Sequence, residues 1–408
     1  MSGSGSLFKS FFIGGFECAT HVTRQGRRLD LLASTRHDLF AAQDYASLQK
    51  QGIRTVREGI RWHRIEPTPG TYQFSDALSL IRPAEEMGMQ VIWDLFHFGY
   101  PEGLDLFSSS FVRRFAAFAG EFMRVLRNES DSIPFVTPIN EISFLAFQGG
   151  EVGSINPFTH GRGNELKAQL VRATIEAMEA MWEVAPETRF VLVDPLFNAV
   201  APGDDPGQVA RARAYSQARY QAWDMIAGAI HPELGGAPKY LDIIGLDYYP
   251  WNQWIYISDL EAGRTLQRDD PRYVPLHQLL AEVHARYQRP LLISETSAED
   301  HHRVDWLANV GNQVRMALQS GVPLQGVCWY PIVDYPGWEN DRACQTGLWG
   351  TCDETGTRPV HEPLARELAI QSALIEDVHR SLLFPGDDYA GAMDETGLAY
   401  GDEDPLKF

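Results

Sequence analysis

Two glutamates that follow strand-like apolar runs carry the clearest chemistry in this sequence. Glu141 ends the run 133–141, and Glu295 ends the run 290–295. A carboxylate inside a core costs a large desolvation energy, but at the C-terminal mouth of a parallel barrel it faces a cleft. Two carboxyl groups at such a mouth can divide the roles of acid and nucleophile at a glycosidic bond. The pattern predicts a glycosidase that retains the anomeric configuration of its substrate.

A basic residue and a histidine stand at the ends of other strand-like runs. Arg57 interrupts the second run, and a buried arginine there needs an anionic partner, for which Glu295 across the barrel is a candidate. The alternative is that Arg57 pairs with its neighbour Glu58. His97 ends the third run, where it can donate to a sugar hydroxyl or satisfy a hydrogen bond of the core.

Three further residues are candidates because of where their runs end. Asn140, next to Glu141, can donate to the 2-hydroxyl of the sugar, a contact that strengthens in an oxocarbenium-like transition state. Tyr248 closes the sixth run and can hold the nucleophilic carboxylate by a charge-assisted hydrogen bond. Trp329 closes the eighth run and offers a flat apolar face to a pyranose ring. Packing at the barrel rim is the alternative for both aromatic residues.

The elements that must position these residues alternate along the chain. Helical patterns separate eight nearly continuous apolar runs, as expected for parallel strands that are buried on both faces. The fold class predicted is α/β, a single (β/α)8 barrel with long loops at the C-terminal face of the strands. The predicted strands are 11–16, 55–60, 90–96, 134–139, 189–193, 241–246, 290–294 and 324–329.

The loops at the two ends of the predicted barrel differ in length and composition. Loops after strands are long and rich in aromatic and polar residues, whereas those before strands are short, and Gly52, Gly88 and Gly321 each stand where a left-handed helix C-cap is expected. We expect residues 1–383 to form the catalytic domain. Residues 384–408 are acidic and poor in apolar pattern, which predicts a loosely ordered tail.

Composition limits the binding partners and the cellular compartment that we expect for this protein. The formal net charge of −19 over 408 residues argues against nucleic acid and anionic membranes as partners. The start of the sequence does not read as a signal peptide, no run is long enough to span a membrane, and four cysteines are too few for a disulfide scaffold. A cytoplasmic enzyme with reduced thiols is expected, although Cys344 and Cys352 could pair in an exported protein.

Several motifs, in the same order along residues 11–375, resemble the family 1 glycoside hydrolases, the β-glucosidase family. The resemblance lies in the segments Val-Arg-Glu-Gly-Ile-Arg-Trp from 56, Leu-Phe-His-Phe-Gly from 95, Thr-Pro-Ile-Asn-Glu from 137, Asp-Tyr-Tyr from 247, Ile-Ser-Glu-Thr-Ser from 293 and Trp-Tyr-Pro-Ile-Val-Asp from 329. It implies a (β/α)8 barrel with Glu141 as acid/base and Glu295 as nucleophile. Asp334 and Trp338 of the eighth loop become candidates for binding substrate.

The sequence departs from the family at the residues that grip the far side of the sugar. The first strand lacks the family's glutamine, for which Glu17 or His21 are possible substitutes, and Gly337 stands where the eighth loop normally has a glutamate. At the sixth strand, Asp247 replaces the asparagine of the family's Asn-Tyr-Tyr. The departures at the first strand and the eighth loop leave the catalytic step intact but leave the sugar identity open.

The expected partner is a small-molecule carbohydrate, with no metal and no organic cofactor, and the oligomeric state is unknown. The adjacent pair His301 and His302 is interpreted as part of a polar loop rather than as a metal site. Three alternatives remain. One is an endo-acting β-glycanase that cuts β-linked mannan or glucan, and another is a barrel that binds sugars without turnover. The third is transglycosylation, in which an alcohol or a sugar replaces water in the second step.

Overall fold

The computed structural model describes residues 6–383, and a closed barrel of eight parallel strands forms its centre. The tail predicted for 384–408 lies outside the described residues. Each strand is hydrogen-bonded to its neighbours in chain order, and the first strand closes on the last. The strands are β1 (Phe12–Gly15), β2 (Thr55–Gly59), β3 (Gln90–Asp94), β4 (Phe135–Thr137), β5 (Arg189–Pro195), β6 (Ile243–Asp247), β7 (Leu291–Thr296) and β8 (Leu324–Trp329).

Helices surround the barrel on its outer side. All eight predicted strands are confirmed to within a few residues, and so is the (β/α)8 class. Between the fifth and sixth strands the helical region is divided, since helix Pro206–Gln217 is followed by a 3₁₀ turn and a second short helix, Gln221–Ile226. The barrel helices are α1 (His37–Lys50), α2 (Ser75–Glu86), α3 (Ser109–Glu129), α4 (Gly163–Val184), α5 (Pro206–Gln217), α6 (Leu276–Tyr287), α7 (His302–Gln319) and α8 (Glu362–Leu383).

Side chains alternate along each strand between the barrel interior and the surrounding helices. The interior holds a compact apolar group formed by Phe8, Ile13, Ile92, Phe135, Val191, Val193, Ile243, Leu292, Cys328 and Tyr330. The other strand residues pack outward in a much larger cluster with the helices. Polar side chains replace the apolar ones at the C-terminal ends of the strands, so a polar layer lies on top of an apolar plug.

The loops contain regular structure that the sequence pattern did not predict. Three short strands, Asn198–Val200, Gln253–Ser258 and Glu261–Thr265, form a small sheet. A two-stranded ladder joins Tyr335–Pro336 to Ala343–Cys344. The three predicted C-cap glycines are confirmed, because each has a positive φ, between 64° and 85°. All four cysteines are free, and within residues 6–383 no helix is long and apolar enough to cross a membrane.

Candidate active site

The buried guanidinium of Arg57 is the centre of the polar layer. Its Nη1 donates to Oε1 of Glu295 at 2.5 Å, and its Nη2 donates to Oδ2 of Asp94 at 2.7 Å and to Oδ1 of Asn140 at 2.5 Å. Glu58, the alternative partner, points outward and bonds to His37 and Tyr45 instead. The side chains of Arg57 and Glu58 point in opposite directions because consecutive residues of a strand face opposite sides of the sheet.

A tyrosine hydroxyl completes the support of Glu295, but it is not the one that the sequence analysis selected. Tyr249 donates to Oε2 of Glu295 at 2.8 Å. The assignment of this contact to Tyr248 is wrong, because the hydroxyl of Tyr248 bonds to Tyr273 and Gln253 outside the barrel. Asp247 and Tyr249 face inward, and Tyr248 between them faces outward, as alternation requires.

Asn140 links the central arginine to His97. Oδ1 of Asn140 accepts from Arg57, and its amide nitrogen lies 3.3 Å from Nε2 of His97. Nδ1 of His97 lies 3.0 Å from Oδ2 of Asp94. Burial opposes the charged form of His97, but Cys18 and Asp94 raise the pKa of His97 well above its usual value. Asp94 was not among the predicted site residues. Its carboxylate orients both the arginine and the histidine.

Glu141 lies at the mouth of the barrel, partly exposed, immediately before the short helix Ile142–Leu145. Its backbone has φ +41°, a left-handed conformation that non-glycine residues rarely adopt and that is often found at functional sites. No cation bonds to its carboxyl group among the described residues. Desolvation, followed by the negative charges of Glu295 and Asp194, raises the pKa of Glu141 well above its usual range.

Asp194 is the carboxyl group that lies behind Glu141. It is buried at the end of β5, and its Oδ1 accepts from the backbone N–H of Ser143 at 2.8 Å, while Oδ2 has no partner. Burial raises the pKa of Asp194 to about 6. Above that pH its charge adds to the field that keeps the proton on Glu141.

At the end of β8 the aromatic residue that faces the barrel interior is Tyr330, and Trp329 faces outward. Trp329, predicted to stack on the sugar, faces outward and lines a small apolar cavity with Leu364 and Leu368 of α8, and its indole N–H donates to the carbonyl of Thr346. That prediction is wrong for the same reason of alternation. Tyr330 faces inward instead, with its ring 5.3 Å from the Arg57 guanidinium and stacked at 5.8 Å on His97.

The loop after β1 brings a further carboxyl group and a neutral histidine to the site. Glu17 is buried, and its Oε1 accepts from the N–H of Ala19 at 3.0 Å. Burial, opposed in part by His97, raises the pKa of Glu17. His21 has no hydrogen-bond partner on either ring nitrogen, and burial with the nearby charges of His97 and Arg28 lowers its pKa to about 3.

The two candidates from the eighth loop lie in different surroundings. The ring of Trp338 lies 4.5 Å from that of His21 and 6.1 Å from that of Phe98. Asp334 accepts from the N–H of Gly347 at 2.8 Å and lies 3.7 Å from Arg303. These contacts hold the loop together. The assignment of Asp334 to substrate binding stays a prediction.

Three side chains of the described part have the spacing of a metal site. Ligand atoms of Cys18, Asp94 and His97 all lie within 4.8 Å of one another. Arg57 donates to Oδ2 of Asp94 in the same place, so a metal ion would have to compete with a guanidinium for that carboxylate. The positions of His301 and His302, which begin α7, give no such group.

Trp251, Tyr273 and Trp306 are among the residues that line a cleft of about 430 Å³. Trp251 is 53% exposed, and its ring is stacked on that of Tyr249 at 5.0 Å with an angle of 3° between the planes. Tyr249 in turn bonds to Glu295. A flat aromatic surface therefore extends from the polar layer toward this cleft, where Arg268, His302 and Asp305 supply polar groups.

The comparisons with known proteins support the same architecture. β-Glucosidase A of Thermotoga maritima is 24% identical over 366 residues, which cover 75% of this chain and 79% of that protein. The chain is similar to the family 1 β-glucosidases. This similarity confirms the resemblance that the motifs indicated. A scan against models of known protein families finds no match, which is consistent with the low identity.

Solved structures show the similarity of fold over most of the barrel. A family 1 β-glucosidase from Thermotoga maritima matches with a TM-score of 0.72 at 17% identity, covering 91% of this chain and 99% of that one. The β-glucosidase from Thermotoga maritima in complex with deoxynojirimycin matches with a TM-score of 0.73 at 17% identity, over 91% and 98% of the two chains. At these identities the matches establish the fold.

Proposed function

We propose that this protein is a glycoside hydrolase that cleaves β-glycosides with retention, through a covalent glycosyl-enzyme intermediate. The observation that carries the proposal is that the two carboxyl groups at the barrel mouth differ in their hydrogen-bond partners. Glu295 accepts hydrogen bonds from Arg57 and Tyr249, whereas Glu141 bonds to no cation among the described residues. Environments that separate two carboxyl groups in this way assign one as base or nucleophile and the other as acid.

The roles follow from these surroundings. Arg57 and Tyr249 direct lone pairs of the Glu295 carboxylate, which attacks the anomeric carbon of the bound sugar. Glu141 donates its proton to the leaving oxygen, and in the second step it takes a proton from the water that releases the sugar. Asp94 holds Arg57 and His97 in place, and Asn140 and His97 are the candidates for the sugar hydroxyls.

The relatives support a carbohydrate substrate. A similar protein is named β-glucosidase, and a similar structure contains deoxynojirimycin. Glu17, His97, Trp338 and Tyr330 surround the place where the sugar would lie, and we propose that they bind it. The four free cysteines fit a reducing compartment, which supports action in the cytoplasm.

A β-glycanase that acts within chains is the second candidate, and the cleft beside Trp251 favours it. Its volume of about 430 Å³ leaves room for sugar units beyond the bond that is cut. Such an enzyme would cleave β-linked oligosaccharides faster than aryl monosaccharides, and Trp251→Ala would slow only the former.

The test is release of dinitrophenol from β-gluco, galacto, fuco, manno, xylo and glucurono glycosides by wild type, Glu295→Ala and Glu141→Ala. Glu295→Ala should abolish turnover of every substrate. Glu141→Ala should still form the glycosyl-enzyme from dinitrophenyl substrates, because that leaving group needs no acid, and should fail with methyl or alkyl glycosides. Equal activity of Glu295→Ala and wild type would contradict the proposal.

A further inference from the structure

Asp247 places a third carboxyl group inside the barrel beside Glu295. It is the last residue of β6, it is fully buried, and its Cα is paired with that of Glu295 across the β6–β7 ladder. Its Oδ1 accepts from the hydroxyl of Ser294 at 2.6 Å, whereas Oδ2 has no partner in the described structure. The mechanism proposed above gives it no role.

The guanidinium at the centre of the site does not neutralise this carboxyl group by a direct contact. The terminal nitrogens of Arg57 donate to Glu295, Asp94 and Asn140. The ionisable groups that act on Asp247 from the surrounding elements are Glu295 of β7, Glu141 after β4, Arg57 of β2, Tyr249 of its own segment and Cys328 of β8. A buried carboxylate with one hydrogen bond and two neighbouring carboxyl groups is costly, and holding its proton removes that cost.

We propose that Asp247 is a positioning residue that acts as a neutral carboxylic acid, which accepts the hydrogen bond of Ser294 and adds no further negative charge beside Glu295. Burial, together with the charges of Glu295 and Glu141, raises the pKa of Asp247 well above its usual range, in agreement with this geometry. A protonated carboxyl group has nearly the shape of an amide. The resemblance noted above places an asparagine at this position, and the two groups would serve the same purpose.

The inference rests on the proposed function, since a positioning role is meaningful only beside a nucleophile. Its test compares Asp247→Asn and Asp247→Ala with wild type on the best aryl glycoside, with circular dichroism to show that each variant folds. Asp247→Ala should lower kcat/KM about tenfold or more, because the hydroxyl of Ser294 loses its buried acceptor and the space beside Glu295 is left unfilled. Asp247→Asn should recover most of that loss and should keep the acidic side of the pH profile.

Two kinetic results would overturn the inference. If Asp247→Asn falls as far as Glu295→Ala, the site needs the ionised form of Asp247. If Asp247→Ala equals wild type, the carboxyl group has no positioning role.

A measurement without substrate separates this inference from the proposed function. In protein labelled with ¹³C at the aspartate carboxyl carbon, the signal missing from Asp247→Asn should have the chemical shift of a protonated acid at pH 7. The shift of an ionised carboxylate at that pH would overturn the inference. If no glycoside is cleaved by wild type, the proposed function fails, and the NMR signal still decides the state of Asp247.

Discussion

Replacing Tyr249 with phenylalanine removes the hydroxyl that donates to Oε2 of Glu295 at 2.8 Å. A hydrogen bond to a charged group contributes about 1.5–3 kcal/mol, and each 1.36 kcal/mol in the activation barrier changes the rate about tenfold. If the bond orients the nucleophile, kcat/KM for an aryl glycoside should therefore fall about 10-fold to 150-fold. The ring stays in place on Trp251, so the variant should fold normally.

Tyr248 provides the matched control, because the same atom is removed one position earlier. Its hydroxyl bonds to Tyr273 and Gln253, each at 2.9 Å, on the outer side of the barrel. Tyr248→Phe should lower the free energy of unfolding by about 1–3 kcal/mol and leave kcat/KM within about twofold.

The assay is initial-rate kinetics of both variants and wild type, with urea unfolding for stability. Tyr249→Phe should lose activity with little loss of stability, and Tyr248→Phe should do the reverse. A larger loss of kcat/KM in Tyr248→Phe than in Tyr249→Phe would refute the assignment of faces at the end of β6.

Three further predictions concern residues around the site. Asp194→Asn should move the alkaline limb of the kcat/KM profile to lower pH, because loss of the Asp194 charge lowers the pKa of Glu141. A shift to higher pH would contradict the effect of Asp194 on the pKa of Glu141. Trp329→Ala should lower the free energy of unfolding by about 3–5 kcal/mol but leave KM within about twofold. A large rise of KM in the folded variant would mean that Trp329 contacts the substrate after all. His37 is buried with its pKa raised to about 9, because Glu58 and Asp44 outweigh the effect of burial, so its charge contributes about 3 kcal/mol below pH 6.5 and loses this contribution as pH rises through about 9. Urea unfolding of wild type and His37→Gln should differ more at pH 6 than at pH 10, and equal differences would argue against a charged His37.

The sequence predicted the barrel because its strands are short apolar runs separated by amphipathic helices. The same property prevented it from assigning faces. A parallel strand that is buried on both sides is apolar throughout, so the run itself does not tell which residues point inward. Tyr248 and Trp329 were each selected one position away from the residue that faces the site, Tyr249 and Tyr330.

Some of the charged residues of the site could be predicted from the sequence alone, and others could not. Glu141 and Glu295 were recognisable because each ends an apolar run, and Arg57 because it interrupts one. Asp94 was missed because its contact with Arg57, a residue of the neighbouring strand, forms only in the closed barrel. Contacts of this kind join residues far apart in the chain, and no local pattern reports them.

The most direct test of the central claim is the configuration of the first sugar released, followed by proton NMR during hydrolysis of a β-glycoside. Attack by Glu295 and then by water inverts the anomeric carbon twice, so the β-anomer should appear first and convert slowly to the equilibrium mixture. Appearance of the α-anomer first would mean a single displacement by water. That result would contradict the role of Glu295 as the nucleophile.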